Sequence, residues 1–247
     1  MSYDIFSRFY DTLTDNVEYR KRADYFCRLL SSYGVNGGIL LDLACGTGSM
    51  SVEMASRGYD VIGVDCSVGM LNTAQAKAFE SGKSILFLCQ DMRELDLYGT
   101  VDCAVSVLDS INHLPDITAV KQAFNKVSLF MNRGGIFAFD MNTLHKHREI
   151  LGDNAFIYDC GDFFCAWQNE LREDDCTVDI TLDFFEQDDD GSWYRSGEEF
   201  AERAYEINAV KELLNECGFE VMAVLDDMSE TEATENSERA VFVAKKI

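Results

Sequence analysis

The chain holds 247 residues, 47% of them hydrophobic, with a formal net charge of −23, which provides for one core with an elaboration rather than two independent domains. That much acid repels phosphate backbones and anionic bilayers, and the densest basic cluster is only Arg20-Lys21-Arg22, so neither nucleic acid nor membrane is expected as a partner and most of the acid serves solubility. No apolar run is long enough to span a bilayer and no N-terminal stretch resembles a signal peptide, so a cytoplasmic location is expected.

The elements are legible in chain order. Residues 3 to 34 read as two helices, the second with Tyr25, Leu29 and Tyr33 along one side. Ile39 to Leu43 is an apolar strand that runs into Gly46 and Gly48, and the stretch through Arg57 reads as a helix. Tyr59 to Asp65, Ser84 to Gln90, Val101 to Leu108 and Gly135 to Asp140 are four further strands, each after a polar or amphipathic stretch, which predicts a parallel sheet. Between the last two, Asp116 caps a helix with Ile117, Val120, Phe124, Val127 and Met131 on one face, and Gly134-Gly135 is expected to stop it. After Asp140 the period changes to two. Phe156-x-Tyr158, Phe163 to Trp167, Val178 to Phe184 and Trp193-Tyr194 predict an antiparallel insert, with a hairpin turn at Asp188-Asp-Asp-Gly191. A helix over Glu206 to Cys217 and strands at Glu220 to Leu225 and Ala240 to Lys245 close the chain, and the acidic stretch from Asp226 to Glu238 is expected to be a mobile solvated loop.

Nine cysteines, without a Cys-x-x-Cys pair, argue against a disulfide framework and against zinc. Cys45, Cys89 and Cys103 lie in or beside apolar strands, where a thiol behaves as a small hydrophobe. His145-x-His147 has the spacing of a metal pair but no third ligand nearby, and two solvated side chains are expected.

The strand-glycine-helix unit around Gly46 is the chemical signal. A dinucleotide fingerprint requires a third glycine where Ser51 stands. Asp42 places a carboxylate at the strand end, which repels a pyrophosphate but tolerates a ligand bearing a sulfonium and an ammonium group, as in S-adenosylmethionine. Asp65, at the end of the second strand, stands where an acid accepts hydrogen bonds from a ribose diol, with an N-cap as its alternative role and Ser67 as the rival for that cap. Asp91 follows the third strand at the carboxyl edge of the sheet, where ligands bind, or else caps the next turn.

These segments together resemble the class I S-adenosylmethionine-dependent methyltransferases, and among them small-molecule enzymes such as the amino-sugar N-methyltransferases. The resemblance rests on Tyr3-Asp4, Tyr10-Asp11, Leu41 to Gly48, Val64 to Ser67 with Met70-Leu71, Gln90-Asp-Met92, Leu108 to His113 and Gly134-Gly135. It implies a Rossmann-like α/β fold, with a mostly parallel seven-stranded sheet, helices on both faces and an antiparallel β insert after strand five. Within one methyltransferase domain over 1–247, it implies an N-terminal helical cap at 1–36, a cofactor-binding half at 37–141, an insert serving as lid at 150–205, and a C-terminal helix and strands at 206–247. It further implies that Ala44, Cys45, Gly46, Thr47 and Gly48 cradle the methionine part, Asp65 holds the ribose, and Asp91 with the Met92 backbone reaches the adenine amino group. Tyr10, Asp42, Cys66, Met70, Gln90 and Leu108 complete the expected cofactor site. Many relatives carry Gly where Ala44 stands and an aromatic residue where Arg22 stands, so Arg22 either clamps the methionine carboxylate or lies on the surface.

The expected chemistry is an in-line displacement of a methyl group onto an N or O atom of a small molecule, in which the protein aligns donor and acceptor. His113 is the candidate general base and Asp109 the second candidate, orienting an amine. A magnesium variant would draw on Asp109, Asp140 and Asn142 and is disfavoured, so no metal is assigned. Two other readings stay open: a non-catalytic cofactor-binding regulator and, less favoured because the third glycine and any Tyr-x-x-x-Lys pair are missing, a nicotinamide dehydrogenase. The insert could instead serve as a homodimer interface.

Overall fold

The computed structural model describes residues 5–172, 176–188 and 190–247. Tyr3-Asp4 and Asp189 of the expected hairpin turn lie outside the described residues.

The central sheet contains β1 (Gly38–Leu43), β2 (Tyr59–Asp65), β3 (Leu86–Cys89), β4 (Val101–Ser106), β5 (Met131–Asn142), β10 (Phe219–Asp226) and β11 (Arg239–Lys246), in the order β10-β11-β5-β4-β1-β2-β3. β1 to β5 pair in parallel, and β11 lies antiparallel between β5 and β10. The order reverses between β1 and β4, and ligands enter such open sheets at that switch point, beyond the strands' carboxyl ends. One face packs on α2 (Tyr19–Ser32) and α3 (Ser49–Ser56) through Ala23, Phe26, Met50 and Met54. The other packs on α5 (Ile117–Phe130) and α6 (Ile207–Glu216) through Val120, Phe124, Val210 and Leu214.

A separate antiparallel sheet, β6 (Ala155–Asp159), β7 (Phe163–Arg172), β8 (Thr177–Gln187) and β9 (Trp193–Arg203), forms the insert. Its inner face meets α1 (Phe6–Leu13): Phe9 stacks on Phe184 with ring centroids 4.2 Å apart, and Phe6 on Phe200 at 5.9 Å. Such pairs add about 0.5–1.5 kcal/mol each beyond the area they bury, and they fix α1 between the insert and the end of the central sheet.

Several expectations are corrected. The helix α5 ends at Phe130, so Met131 opens β5 instead of joining the helical face. Gly134-Gly135 therefore lie inside the strand; a Cβ on Gly135 would come within 2.7 Å of the Asp102 carbonyl oxygen, so close backbone approach selects glycine there. The acidic stretch after Asp226 is held against the fold: Asp226 N donates to Thr231 O, Ala233 N to Val224 O, and the Tyr25 hydroxyl to Ser229 O. Cys45 and Cys103 are buried as expected, but Cys89 is exposed because β3 is an edge strand. His147 is fully buried, its Nδ1 3.0 Å from the Cys176 carbonyl oxygen, and burial pushes its pKa down to about 4, so it is no solvated side chain. β9 runs far past Trp193-Tyr194 because Glu198, Phe200 and Glu202 continue the period-two pattern with acids on the covered face, which disguises it as a polar segment.

Candidate active site

The carboxyl ends of β1, β2 and β4 and the inner side of α1 enclose a cavity of about 290 Å³. Its wall includes Phe6, Tyr10, Ala44, Gly46, Asp65, Cys66, Met70, Gln90, Asp91, Met92, Leu108 and His113. The glycine loop, the acid after β2, the turn after β3 and the histidine after β4 therefore converge on one space.

Local backbone explains the loop. Ala44 has φ 57°, Gly46 54° and Gly48 75°, all in the left-handed region that favours glycine, which accounts for the glycine that relatives carry at the Ala44 position. A Cβ on Gly48 would meet Ala74 Cβ at 2.8 Å, so this glycine serves the packing of α4 (Val68–Glu80) against the loop. A Cβ on Gly46 would meet no protein atom within 4 Å. Gly46 thus leaves open cavity, the space that a methionine chain would fill.

Asp65 is buried, with Oδ2 accepting from Gly46 N at 2.9 Å and Oδ1 from Ser67 N at 2.8 Å. Burial raises its pKa, offset by those backbone bonds. It is not the cap of α4, because Ser67 Oγ accepts from Met70 N. Each carboxylate oxygen retains a lone pair that can accept from a diol. Asp91 lies on the cavity wall and caps the following 3-10 turn, accepting from Arg93 N at 2.8 Å while pairing with the Arg93 guanidinium. Gln90 closes the same loop through paired bonds with the Asp96 backbone.

Four further cofactor candidates, Asp42, Cys45, Thr47 and Gly48, are not on the cavity wall. Asp42 is buried beneath the loop, accepts from Ser51 Oγ at 2.5 Å, and is pushed up to about 7 by burial, so the residue in place of the third glycine ties down this acid. Cys45 packs inward with its thiol raised by burial. Thr47 donates to Asp11 Oδ1 at 2.6 Å and Lys77 pairs with the same carboxylate, fastening α1 to the loop. Gly48 contributes the close approach described above.

After β4 the chain takes two successive left-handed residues, Leu108 (φ 57°) and Asp109 (φ 56°), a strained conformation for side chains with a Cβ. Asp140 holds it: its Oδ2 accepts from Leu108 N at 3.0 Å and its Oδ1 from Asp109 N at 2.8 Å. Asp140 is fully buried and also pairs with Arg22 and Arg239, while Asp227 takes a two-pronged bond from Arg22 at 2.9 Å on each arm. Arg22 is therefore neither a surface residue nor a free clamp for a carboxylate. Asp109 is turned off the cavity wall toward Asn142 Nδ2 (2.5 Å) and Arg239 Nη1 (3.0 Å). Burial works against its charge, but Arg239, Lys146 and His113 outweigh that and hold its carboxyl well below the usual range. The expected amine-orienting role does not match that direction. Asp109, Asp140 and Asn142 do gather, as a magnesium site would require, yet the Arg239 guanidinium occupies the position between the two acids.

His113 ends a 3-10 turn (Ser110–His113), reaches the cavity wall, and has its pKa lowered by burial, offset in part by Asp109. Its Nε2 lies 3.8 Å from Glu202 Oε1. Sequence reasoning missed Phe6, Arg93, Glu202 and Arg239. The spacing of Phe6 to Tyr10 on α1, edge to face at 5.1 Å, was a signal for the first; nothing local marked Glu202 or Arg239, whose partners lie far along the chain.

Comparison with known proteins decides the family. A family model described as a methyltransferase domain matches residues 40–135. The whole chain is 34% identical over 247 residues to a Geobacillus sp. (strain WCH70) protein provisionally named a methyltransferase, covering 100% of both. A solved S-adenosylmethionine-dependent methyltransferase from Clostridium acetobutylicum ATCC 824 superposes with a TM-score of 0.88 at 30% identity, over 99% of this chain and 98% of that one. The chain belongs to the class I S-adenosylmethionine-dependent methyltransferases. CalS10, an amino pentose methyltransferase from Micromonospora echinaspora solved with S-adenosylmethionine bound, shares the fold at a TM-score of 0.74 and 18% identity, over 93% and 92% of the two chains. The family's cofactor is S-adenosylmethionine, and the open space at Gly46 beside the Asp65 carboxylate fits that group. Among the described residues, no helix is long and apolar enough to cross a membrane.

Proposed function

We propose that the methyltransferase moves the methyl group to the nitrogen of a small-molecule amine, with His113 as the proton acceptor. The observation that carries this reading is one cavity joining the Gly46 loop to His113. S-adenosylmethionine supplies an electrophilic methyl group on its sulfonium. Asp65 would accept from the ribose hydroxyls, the Ala44 to Gly46 backbone would hold the methionine chain, and Met92 and Leu108 would take the adenine. Tyr10 and Phe6 close the cavity from α1 and exclude water. His113 takes the proton that the amine must lose, and its lowered pKa keeps the imidazole neutral and able to do so near pH 7. The acidic surroundings, with Asp65 and Asp91 on the wall, favour a cationic acceptor. N-methylation is also what the sugar N-methyltransferase KedS8, which shares the fold at 17% identity, suggests by name.

The insert serves as the lid because its covered face supports α1, which carries Phe6 and Tyr10 to the cavity. Its other exposed aromatics, Phe164 and Trp193 with rings 6.0 Å apart, favour a second role as a homodimer contact, which light scattering tests.

A library of small amines assayed for release of S-adenosylhomocysteine tests the acceptor. In the presence of the acceptor found, His113→Asn should lower kcat by about 10²-fold and leave cofactor affinity by calorimetry unchanged. Unaltered turnover and pH dependence would remove His113 from the chemistry.

A further inference from the structure

Glu202 is buried near the end of β9 with its carboxylate turned toward the turn that bears His113. Oε1 lies 3.8 Å from His113 Nε2, and Oε2 accepts from Asn142 Nδ2 at 3.2 Å. The charged groups facing it come from three elements: Asp109 and His113 from the segment after β4, Lys146 from the π-helical turn at 146–151, and Arg239 from β11. The geometry is clamped from both sides by Asn112, the residue before His113. Its fully buried amide donates to Arg203 O at 2.9 Å and to Asn142 O at 3.1 Å, and accepts from Asn142 N at 2.9 Å. The insert strand and the histidine turn are thereby held as one unit, although about ninety residues of chain separate them.

We propose that Glu202 is the positioning residue for His113, holding the imidazole at the cavity wall and setting, through its charge, which ring nitrogen carries hydrogen. The proposal rests on the reading of His113 as proton acceptor. Burial and the neighbouring Asp109 charge push the Glu202 carboxyl up to about 8, with Asn142, Lys146 and Arg239 opposing. When Glu202 is ionised, its charge 3.8 Å from Nε2 favours the tautomer with hydrogen on that nitrogen, which leaves the lone pair on Nδ1. The N–H bond of the acceptor amine then breaks, an Nδ1–H bond forms, and the imidazolium produced is stabilised by the carboxylate beside it. When Glu202 holds its proton that bias is gone, and the tautomer with hydrogen on Nδ1, which cannot accept there, gains population. Activity therefore rises with pH as Glu202 ionises.

The chain has three histidines, so the His113 ring signal is assignable in a proton NMR titration by its loss in His113→Asn. In the unmodified protein that signal should move twice between pH 5 and 9.5, once for its own titration and again near 8 as Glu202 ionises. Glu202→Gln, which retains size and a hydrogen-bonding group toward Asn142, should abolish the second step. With the acceptor in hand it should also lower kcat about tenfold, flatten the alkaline rise and leave KM for S-adenosylmethionine unchanged. A second step that persists in Glu202→Gln overturns the proposal. A single step in the unmodified protein overturns it too, and that measurement does not depend on the variant folding. Failure of the cofactor reading would appear separately, as no S-adenosylmethionine binding in calorimetry with the NMR titration intact.

Discussion

The two rims of the cavity are built on different principles. On the cofactor rim, main-chain geometry dominates: left-handed Ala44, Gly46 and Gly48, a backbone bond from Gly46 to Asp65, and a cap at Asp91, each made within about twenty residues of chain. On the acceptor rim, buried charges dominate. Arg22, Asp109, Asp140, Asp227 and Arg239 come from five distant segments and neutralise one another around a strained turn. The first rim presents amide groups and open space. The second sets the charge around His113, and there a single substitution leaves several partners unsatisfied at once.

The difference predicts where the molecule breaks most easily. Arg239→Met removes the cation that faces both Asp109 and Asp140, leaving buried carboxylates uncompensated, and should cost about 3–5 kcal/mol of unfolding free energy in a urea titration. A loss below about 1 kcal/mol would mean that water reaches the cluster and that the acceptor rim is not charge-built.

On the cofactor rim the matching experiment should spare stability and strike binding. Gly46→Val projects a branched side chain into open cavity at a φ of 54°, where such residues are strained. S-adenosylmethionine affinity should fall by about 10²-fold, roughly 3 kcal/mol, as read by calorimetry. Retained affinity in a folded variant would place the methionine chain elsewhere.

The smallest effect sharpens the contrast by placing one charge under the backbone-built rim. The Asp42 carboxyl is raised from 3.8 to about 7 by burial, so the folded state holds a proton that the unfolded chain releases earlier. With the folded pKa raised, stability is full below about pH 4, declines as pH rises toward 7, and is level above that. Asp42→Asn, which cannot ionise, should flatten this decline, and the difference between variants should change by about 2 kcal/mol from pH 5 to pH 8. Parallel pH profiles would show that Asp42 keeps its charge without penalty.

The legibility of each part follows the distance over which its contacts act. Asp65 and Gly46 meet across nineteen positions of one strand-helix-strand unit, so a motif records their partnership. Ser51 also belongs to that unit: its absence from the glycine series pointed away from dinucleotides, and the structure supplies the cause in its bond to Asp42. Asp227 reads in sequence as part of an acidic tail, yet its carboxylate is claimed by Arg22, 205 positions away. Asp109 reads in sequence as the second candidate for the chemistry, orienting an amine, and nothing along the chain marks Arg239 and Asn142, which its carboxylate faces.

The amino-acid sequence by itself determined the sheet and helix order, the cofactor loop and the antiparallel character of the insert, because side-chain period and glycine placement act within a few residues. Only the tertiary structure decided which acids face ligand and which are buried supports, that the stretch after Asp226 is packed, and that Glu202 stands behind His113. Burial and the pairing of charges depend on which distant segments the fold brings together, and a pattern read along one chain contains no distance across space.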